Sequence, residues 1–398
     1  MSLLPVDEAV ARILAGGVPL AAETVPLAEA DGRPLAAPLS ARRDQPPFPA
    51  SAMDGYAVRA ADATVGARLR VTGIAAAGHA FAGSVGPGEA VRIFTGAPVP
   101  AGADAILIQE DADAAEGHVV SRETPVAGQH VRPRGFDFAA GATLLEPGRV
   151  LGMREVALAA AMGAATVPVR RRPVVATGEA GDELVPVGAL PAADQIFASN
   201  GFGLAAFVRA AGGVALDLGI ALDRLPDIEA AVEGAIAAPA DILVTLGGAS
   251  VGDHDLVQAA LKARGMALDF WRVALPPGKP LMFGRIGAMR VLGLPGNPVS
   301  SLVGAILFLR PLLAALLGQG QADPSVPAVA GAAVPANDTV RQDYLRAVST
   351  LDATGRTVVT PRGKQAWSAL APLPAADSLL DRAARAPALA AGDPCRII

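Results

Sequence analysis

The stretch DILVTLGGASVGDHD, residues 241–255, decides the fold class. Residues 241–246 hold a short, continuous apolar run without polar alternation, as in strands buried on both faces of a parallel sheet. Gly247 and Gly248 follow at once, and helical spacing begins by 254 and runs to 264. Strand, Gly-rich loop and helix make the repeating unit of an open α/β sheet. Working outward, VVAT (174–177), VALDLGIAL (214–222) and LDFWRV (268–273) read as strands. LMFGRI (281–286) and MRVLGLP (289–295) read as a hairpin or paired strands. Helical patterns occupy 200–211, 226–237 and 298–317.

Upstream, apolar positions in 4–16 and 153–165 have helical spacing, and TVPVR (166–170) reads as a strand. Residues 38–50 are Pro-dense and extended. Between 68 and 150, short strand-like runs separated by Gly and Pro indicate a small β-rich domain. Downstream, 318–338 reads as a linker, and YLRAVST and TVVTP as strands of a small β domain.

The 398 residues include 44 Gly and 34 Pro, and 52% hydrophobic against 18% charged residues, with mean hydropathy +0.41. So apolar a chain is not disordered, and its length suits two or more domains. The glycines lack a period of three, which excludes collagen. In the most apolar segment, 299–317, Arg310 and Pro311 interrupt the run short of the about 20 residues a membrane span needs. The N-terminal MSLLPVDEAVARILAGG lacks the basic start of a signal peptide, so the expectation is a soluble, cytoplasmic protein with no membrane partner.

The net charge is −5, and the one basic block, Arg170-Arg171-Arg172, reads as a solvated element end. No nucleic-acid partner is expected. A single cysteine, Cys395, excludes internal disulfides and multi-Cys zinc sites. His79, His118, His130 and His254 are scattered, so a metal here would be hard and oxygen-ligated, such as magnesium.

Three Gly-rich loops each follow a predicted strand: LGGASVGDHD (246–255), PPGKP (276–280) and GLPGNPVSS (293–301). Ligands of open α/β sheets sit at the carboxyl ends of strands, where free N–H groups suit oxyanions. Lys279, one of three lysines, stands within the second loop. No loop is a Walker A or a GxGxxG fingerprint, and each alone is equally a turn; three at successive strand ends point to an anionic ligand. The acid pairs Asp182/Glu183 and Asp253/Asp255 suit magnesium, or cap helices. Far upstream, PPFPASAMDGYA (46–57) reads as a hairpin turn at Asp54-Gly55 that presents a carboxylate.

These stretches, with VRIFTGAPVPAGADAIL (91–107), GDEL (181–184) and FWRVALPPGKP (270–280), fall in order over about 300 residues. Together they resemble the molybdopterin molybdenumtransferases, the MoeA and gephyrin E-domain family. The resemblance implies a multidomain α/β plus β fold, an elongated homodimer of four-domain subunits. It would divide into a linking domain (1–50 with 140–172), a β-rich domain (51–139), a molybdopterin-binding α/β domain (173–320) and a C-terminal β domain (325–398). The site would lie between the α/β domain of one subunit and the β-rich domain of the other. The implied reaction is magnesium-dependent: molybdate enters adenylylated molybdopterin, AMP leaves, and molybdenum cofactor forms.

Carried over residue by residue, the resemblance assigns catalytic roles to Asp54, Asp137, Asp223 and Lys279, and metal binding to Asp182, Glu183 and Asp255. Substrate binding falls to Ser51, Gly247, Gly248, Ser250, Gly252, Gly278, Lys279, Pro295, Gly296, Asn297 and Ser300. Molybdopterin adenylyltransferase and molybdoenzyme chaperones are further expected partners. The chain departs from the family at Ala180 and Leu246, which replace hydroxyl residues, at Pro276, which replaces a cation, and at Arg272, where lysine is common. Alternative readings of the same fold are a non-catalytic molybdopterin carrier or scaffold, and a molybdopterin adenylyltransferase. The SAMDGYA block favours the molybdenum-inserting enzyme over the latter.

Overall fold

Ile242–Leu246 is an inner strand of a six-stranded sheet, buried along its whole length. The computed structural model describes residues 3–247, 256–276, 281–320, 323–363 and 365–398. In chain order the sheet strands are β1 (Val174–Ala180), β2 (Val214–Ala221), β3 (Ile242–Leu246), β4 (Ala267–Trp271), β5 (Met282–Ile286) and β6 (Met289–Leu294). The spatial order is β2-β1-β3-β6-β5-β4. β2, β1, β3 and β6 are mutually parallel, and β5 runs against both its neighbours. β5 is therefore the antiparallel strand of this otherwise parallel sheet, next to the edge strand β4.

Alternation along β3 explains its unbroken apolar run. Ile242, Val244 and Leu246 enter one core with Leu204 and Val208 of helix Asn200–Ala210 and Val299 and Phe308 further on. Leu243 enters a second core with Ile228 and Val232 of helix Leu225–Ala237 and Val257 and Leu261 of helix Leu256–Ala263. Helices thus cover both faces, so no position on the strand faces water.

The apolar segment 298–317 is a helix of the first core. Pro298–Leu316 is long and apolar enough to cross a bilayer, yet 67% of its most apolar window is buried within the protein. Pro311 does not interrupt it. Proline lacks an N–H and crowds the carbonyl four residues back, and a π-helical segment, Ala305–Leu309, immediately precedes the turn that holds it. The Arg170–Arg172 block is also more than a solvated end. Arg171 forms a two-pronged pair with Asp241, 2.8 Å on each arm, and the same carboxylate accepts the Val174 N–H at 2.7 Å. It ties the starts of β1 and β3 together.

The chain divides into two units, Thr24–Val169 and the combination of Met1–Glu23 with Arg170–Ile398. The second unit also contains a closed five-stranded barrel. Its first strand, Val326–Ala330, lies inside the stretch 318–338 read as linker, because its small residues carry little strand signature.

The first unit holds a six-stranded sheet in the order Ala105–Ile108, Gly55–Val58, Glu89–Ile93, Arg68–Ala75, His118–Ser121, Ala112–Ala115. Asp54-Gly55 is not the tip of a hairpin, as its turn chemistry predicts, but the entrance to a strand. Gly55–Val58 is an inner strand, antiparallel to both neighbours and buried throughout. Glycine is required at its start: a Cβ on Gly55 would stand 2.1 Å from the Leu107 carbonyl oxygen.

Candidate functional site

At the carboxyl ends of β1, β3 and β6 the backbones close on one another. Gly247, just after β3, has φ +82°, and a Cβ there would lie 2.7 Å from the Ala180 carbonyl oxygen. A Cβ on Gly296 would lie 3.2 Å from the Gly247 Cα. The Gly247 N–H donates to the Leu294 carbonyl at 3.2 Å, and the Asn200 amide donates to the Gly296 carbonyl at 2.7 Å. Three strand ends and one helix start are thereby locked, with side chains nearly excluded from the seam.

Beyond the seam the helix Pro298–Gly304 begins. Asn297 stands at its N-cap, exposed, with its side chain making no capping bond, and Pro295 is half-buried beside it. Ser300 is 2% exposed, and among the described residues its hydroxyl has no hydrogen-bond partner. A buried hydroxyl is costly to leave unpaired unless a ligand or water completes it.

Three of the predicted acids, Asp182, Glu183 and Asp223, gather beside β1. Asp182 accepts the Asp223 N–H at 3.0 Å. Partial burial, followed by the negative charges of Asp182 and Glu183, raises the Asp223 pKa above the ordinary aspartate value. Among the described residues no three His, Cys, Asp or Glu side chains converge tightly enough to form a metal site alone. The hard oxygen donors and their mutual repulsion nevertheless fit a divalent cation with further ligands from substrate and water.

In the other unit, Asp54 enters the Gly55–Val58 strand from a turn. Its Oδ1 accepts both the N–H and the hydroxyl of Thr95, each at 2.7 Å. These bonds, the backbone one first, hold its carboxyl below the usual aspartate pKa, and Arg92 adds to the effect. Ser51 is fully buried, and its hydroxyl donates to the Met53 carbonyl at 2.6 Å, so it braces this turn. Asp137 is exposed on the wall of an open cleft of about 900 Å³ with Arg43, Gln45, Phe48, Arg132 and Phe136. Gly248, Ser250, Gly252, Asp255, Gly278 and Lys279 lie outside the described residues.

Four participants escaped the sequence reading as site residues. Thr95 stood inside a quoted motif, but nothing in its spacing connects it with Asp54, 41 residues away. Arg92 and Asn200 likewise act through tertiary contacts. Glu179, at the end of β1, is 8% exposed, and its carboxylate accepts the Gly201 N–H at 2.9 Å at the start of helix Asn200–Ala210. Burial is the chief cause of its raised pKa. A glutamate in an otherwise apolar strand was its available signal.

Residues 4–163 match the family described as MoeA N-terminal region (domain I and II), and residues 179–315 match the probable molybdopterin binding domain family. A Haemophilus influenzae protein named molybdopterin molybdenumtransferase is 38% identical over 324 residues, covering 80% of this chain and 79% of its own. Molybdopterin molybdenumtransferase 2 of Mycobacterium tuberculosis is 38% identical over 372 residues, covering 90% of each chain. Among solved structures, a molybdopterin biosynthesis MoeA protein of Pyrococcus horikoshii superposes with TM-score 0.86 at 30% identity, covering 100% of this chain and 98% of that one. With relatives this similar over nearly the whole length, the chain belongs to the molybdopterin molybdenumtransferase (MoeA) family.

Proposed function

We propose that this protein inserts molybdate into adenylylated molybdopterin, releasing AMP and yielding molybdenum cofactor. The observation that carries the reading is the close main-chain seam at Ala180, Gly247 and Gly296, with Asn297 and the Ser300 hydroxyl, unpartnered among the described residues, beside it. Relatives named molybdopterin molybdenumtransferase support a molybdopterin substrate for the reading.

In this reading Gly247, Gly248, Ser250, Gly252, Gly278, Pro295, Gly296, Asn297 and Ser300 receive the pterin phosphate and nucleotide. Lys279 places a cation against the pyrophosphate. Asp54 keeps its carboxylate charged and oriented through Thr95, and Ser51 acts by bracing its turn. Asp137 faces the open cleft, where it serves the entering oxyanion and its counter-charges. Asp182, Glu183 and Asp255 would hold magnesium, with Asp223 adjoining. Magnesium bound there supplies charge neutralisation of the pyrophosphate. The reading includes a cytoplasmic homodimer with the four-domain division expected from the sequence.

The test is incubation of the purified protein with adenylylated molybdopterin, molybdate and magnesium. AMP release coupled to cofactor formation is expected. Tight binding without AMP release would instead identify a carrier.

A further inference from the structure

We propose that Arg92 is a positioning residue for this reaction: lying over the rings of both Tyr56 and Phe94, it fixes the turn that presents Asp54 without touching the reacting groups. The guanidinium carbon lies 5.1 Å from the Tyr56 ring centroid and 4.9 Å from that of Phe94. Nη1 donates to the Gly55 carbonyl at 3.0 Å, and Nη2 donates to the Gln109 side-chain oxygen at 2.8 Å. The Gln109 N–H in turn donates to the Asp54 carbonyl at 3.1 Å.

Asp54 is therefore held from two directions that meet at Arg92. Its backbone is fixed through Gly55 and Gln109. Its carboxylate is fixed by Thr95, the residue after Phe94. Hydrogen bonds among the described residues reach only Oδ1, which leaves Oδ2 for a ligand.

The register makes this arrangement possible. Tyr56 and Arg92 are direct cross-strand partners in the antiparallel pair, so the long side chain lies over the ring and ends at the strand entrance. A planar guanidinium can stack on two rings while donating in its own plane; an ammonium cannot do both. Among the described residues Arg92 makes no ion pair with a carboxylate, as it would if its task were to anchor the surface.

The proposal rests on the reading of Asp54 given above, so the experiment separates the two. Asp54→Asn, Arg92→Met and Arg92→Lys are assayed for AMP release, with melting temperature and ¹³C-detected titration of the Asp54 carboxyl. Arg92→Met is expected to lower kcat about 10- to 100-fold, as a misplaced group does, with KM within about twofold. The Asp54 titration should move to higher pH in that variant. Arg92→Lys keeps the charge and should restore the titration, while kcat stays at least about fivefold down. Full kcat in Arg92→Lys, or an unmoved Asp54 titration in Arg92→Met, overturns the proposal and leaves Asp54 standing. Full activity in Asp54→Asn overturns the reading of Asp54 itself, and the proposal with it.

Discussion

Replacing Gly247 by alanine isolates the seam between the strand ends, because the chain contains its own control. Gly247 has φ +82°, and an added Cβ would meet the Ala180 carbonyl oxygen at 2.7 Å. Gly265, in the turn after helix Leu256–Ala263, has φ +83°, and nothing lies within 4 Å of its added Cβ. Both alanines carry the left-handed strain of about 1–2 kcal/mol. Only Gly247→Ala adds overpacking against rigid backbone, of about 1–3 kcal/mol. In a unit of this size each kcal/mol lowers the melting temperature by about 2–4 °C. Gly265→Ala should therefore cost about 2–8 °C, and Gly247→Ala about 4–20 °C. Activity should divide the pair further. On the proposed function, moving Gly247 off the Ala180 carbonyl displaces the edge that receives the substrate, and kcat/KM for AMP release should fall about 100-fold. Gly265→Ala should leave kcat/KM unchanged. Differential scanning calorimetry and the AMP assay measure both. Equal melting shifts with full activity in Gly247→Ala would refute the close approach as a functional constraint.

Lys279→Ala should weaken nucleotide affinity about tenfold with little change in melting temperature, read by calorimetric titration. Ser300→Ala should weaken substrate binding while leaving the free protein equally or more stable, because it deletes a buried hydroxyl that lacks a protein partner among the described residues. Asp241→Ala removes both arms of the Arg171 pair and the acceptor of the Val174 N–H, and should cost about 3 kcal/mol in a denaturant melt. The Arg149 hydrogen bond, then N–H groups of the helix start, hold the Glu155 carboxyl down from 4.5 to about 2. Its contribution is therefore complete above pH 4.5 and drains away as the pH falls toward 2. Glu155→Gln should flatten that part of the stability curve, measured as melting temperature against pH.

Much of the α/β section was legible because its signals are local. The buried run of β3 and the helices at 200–210 and 225–237 follow from periodicity over a few turns. The opposite case is Gly55–Val58. Its Asp-Gly entrance has turn chemistry, but the glycine is there to pass the Leu107 carbonyl, a contact made across some fifty residues. Val326–Ala330 was hidden for another reason: its small residues pair by closing a barrel with strands far away in the chain. The candidate site divides along the same line. Glycines and acids announced themselves through motif spacing, whereas Thr95, Arg92 and Asn200 are defined only by what folding brings to them.

The low charge of the chain acquires a physical meaning at the seam. On the proposed function the site needs positive potential for phosphates and molybdate, and only three of the chain's 33 basic residues are lysines. Backbone N–H groups at strand ends and helix starts supply partial positive charge that cannot titrate and needs no side-chain ordering. Glycine at 247 and 296 lets these main chains approach: an added Cβ would stand 2.7 Å from the Ala180 carbonyl oxygen and 3.2 Å from the Gly247 Cα. The departures at Ala180, Leu246 and Pro276 then fall on a site whose rigidity is carried by main-chain contacts: the Ala180 carbonyl packs on Gly247, and Leu246 is buried in the core. On the proposed function, losing side-chain donors there removes individual contacts to the anion while the main-chain contacts of Ala180, Gly247 and Gly296 stay in place. Affinity for the substrate should accordingly be more sensitive to backbone displacement at this edge than to the loss of any single hydroxyl.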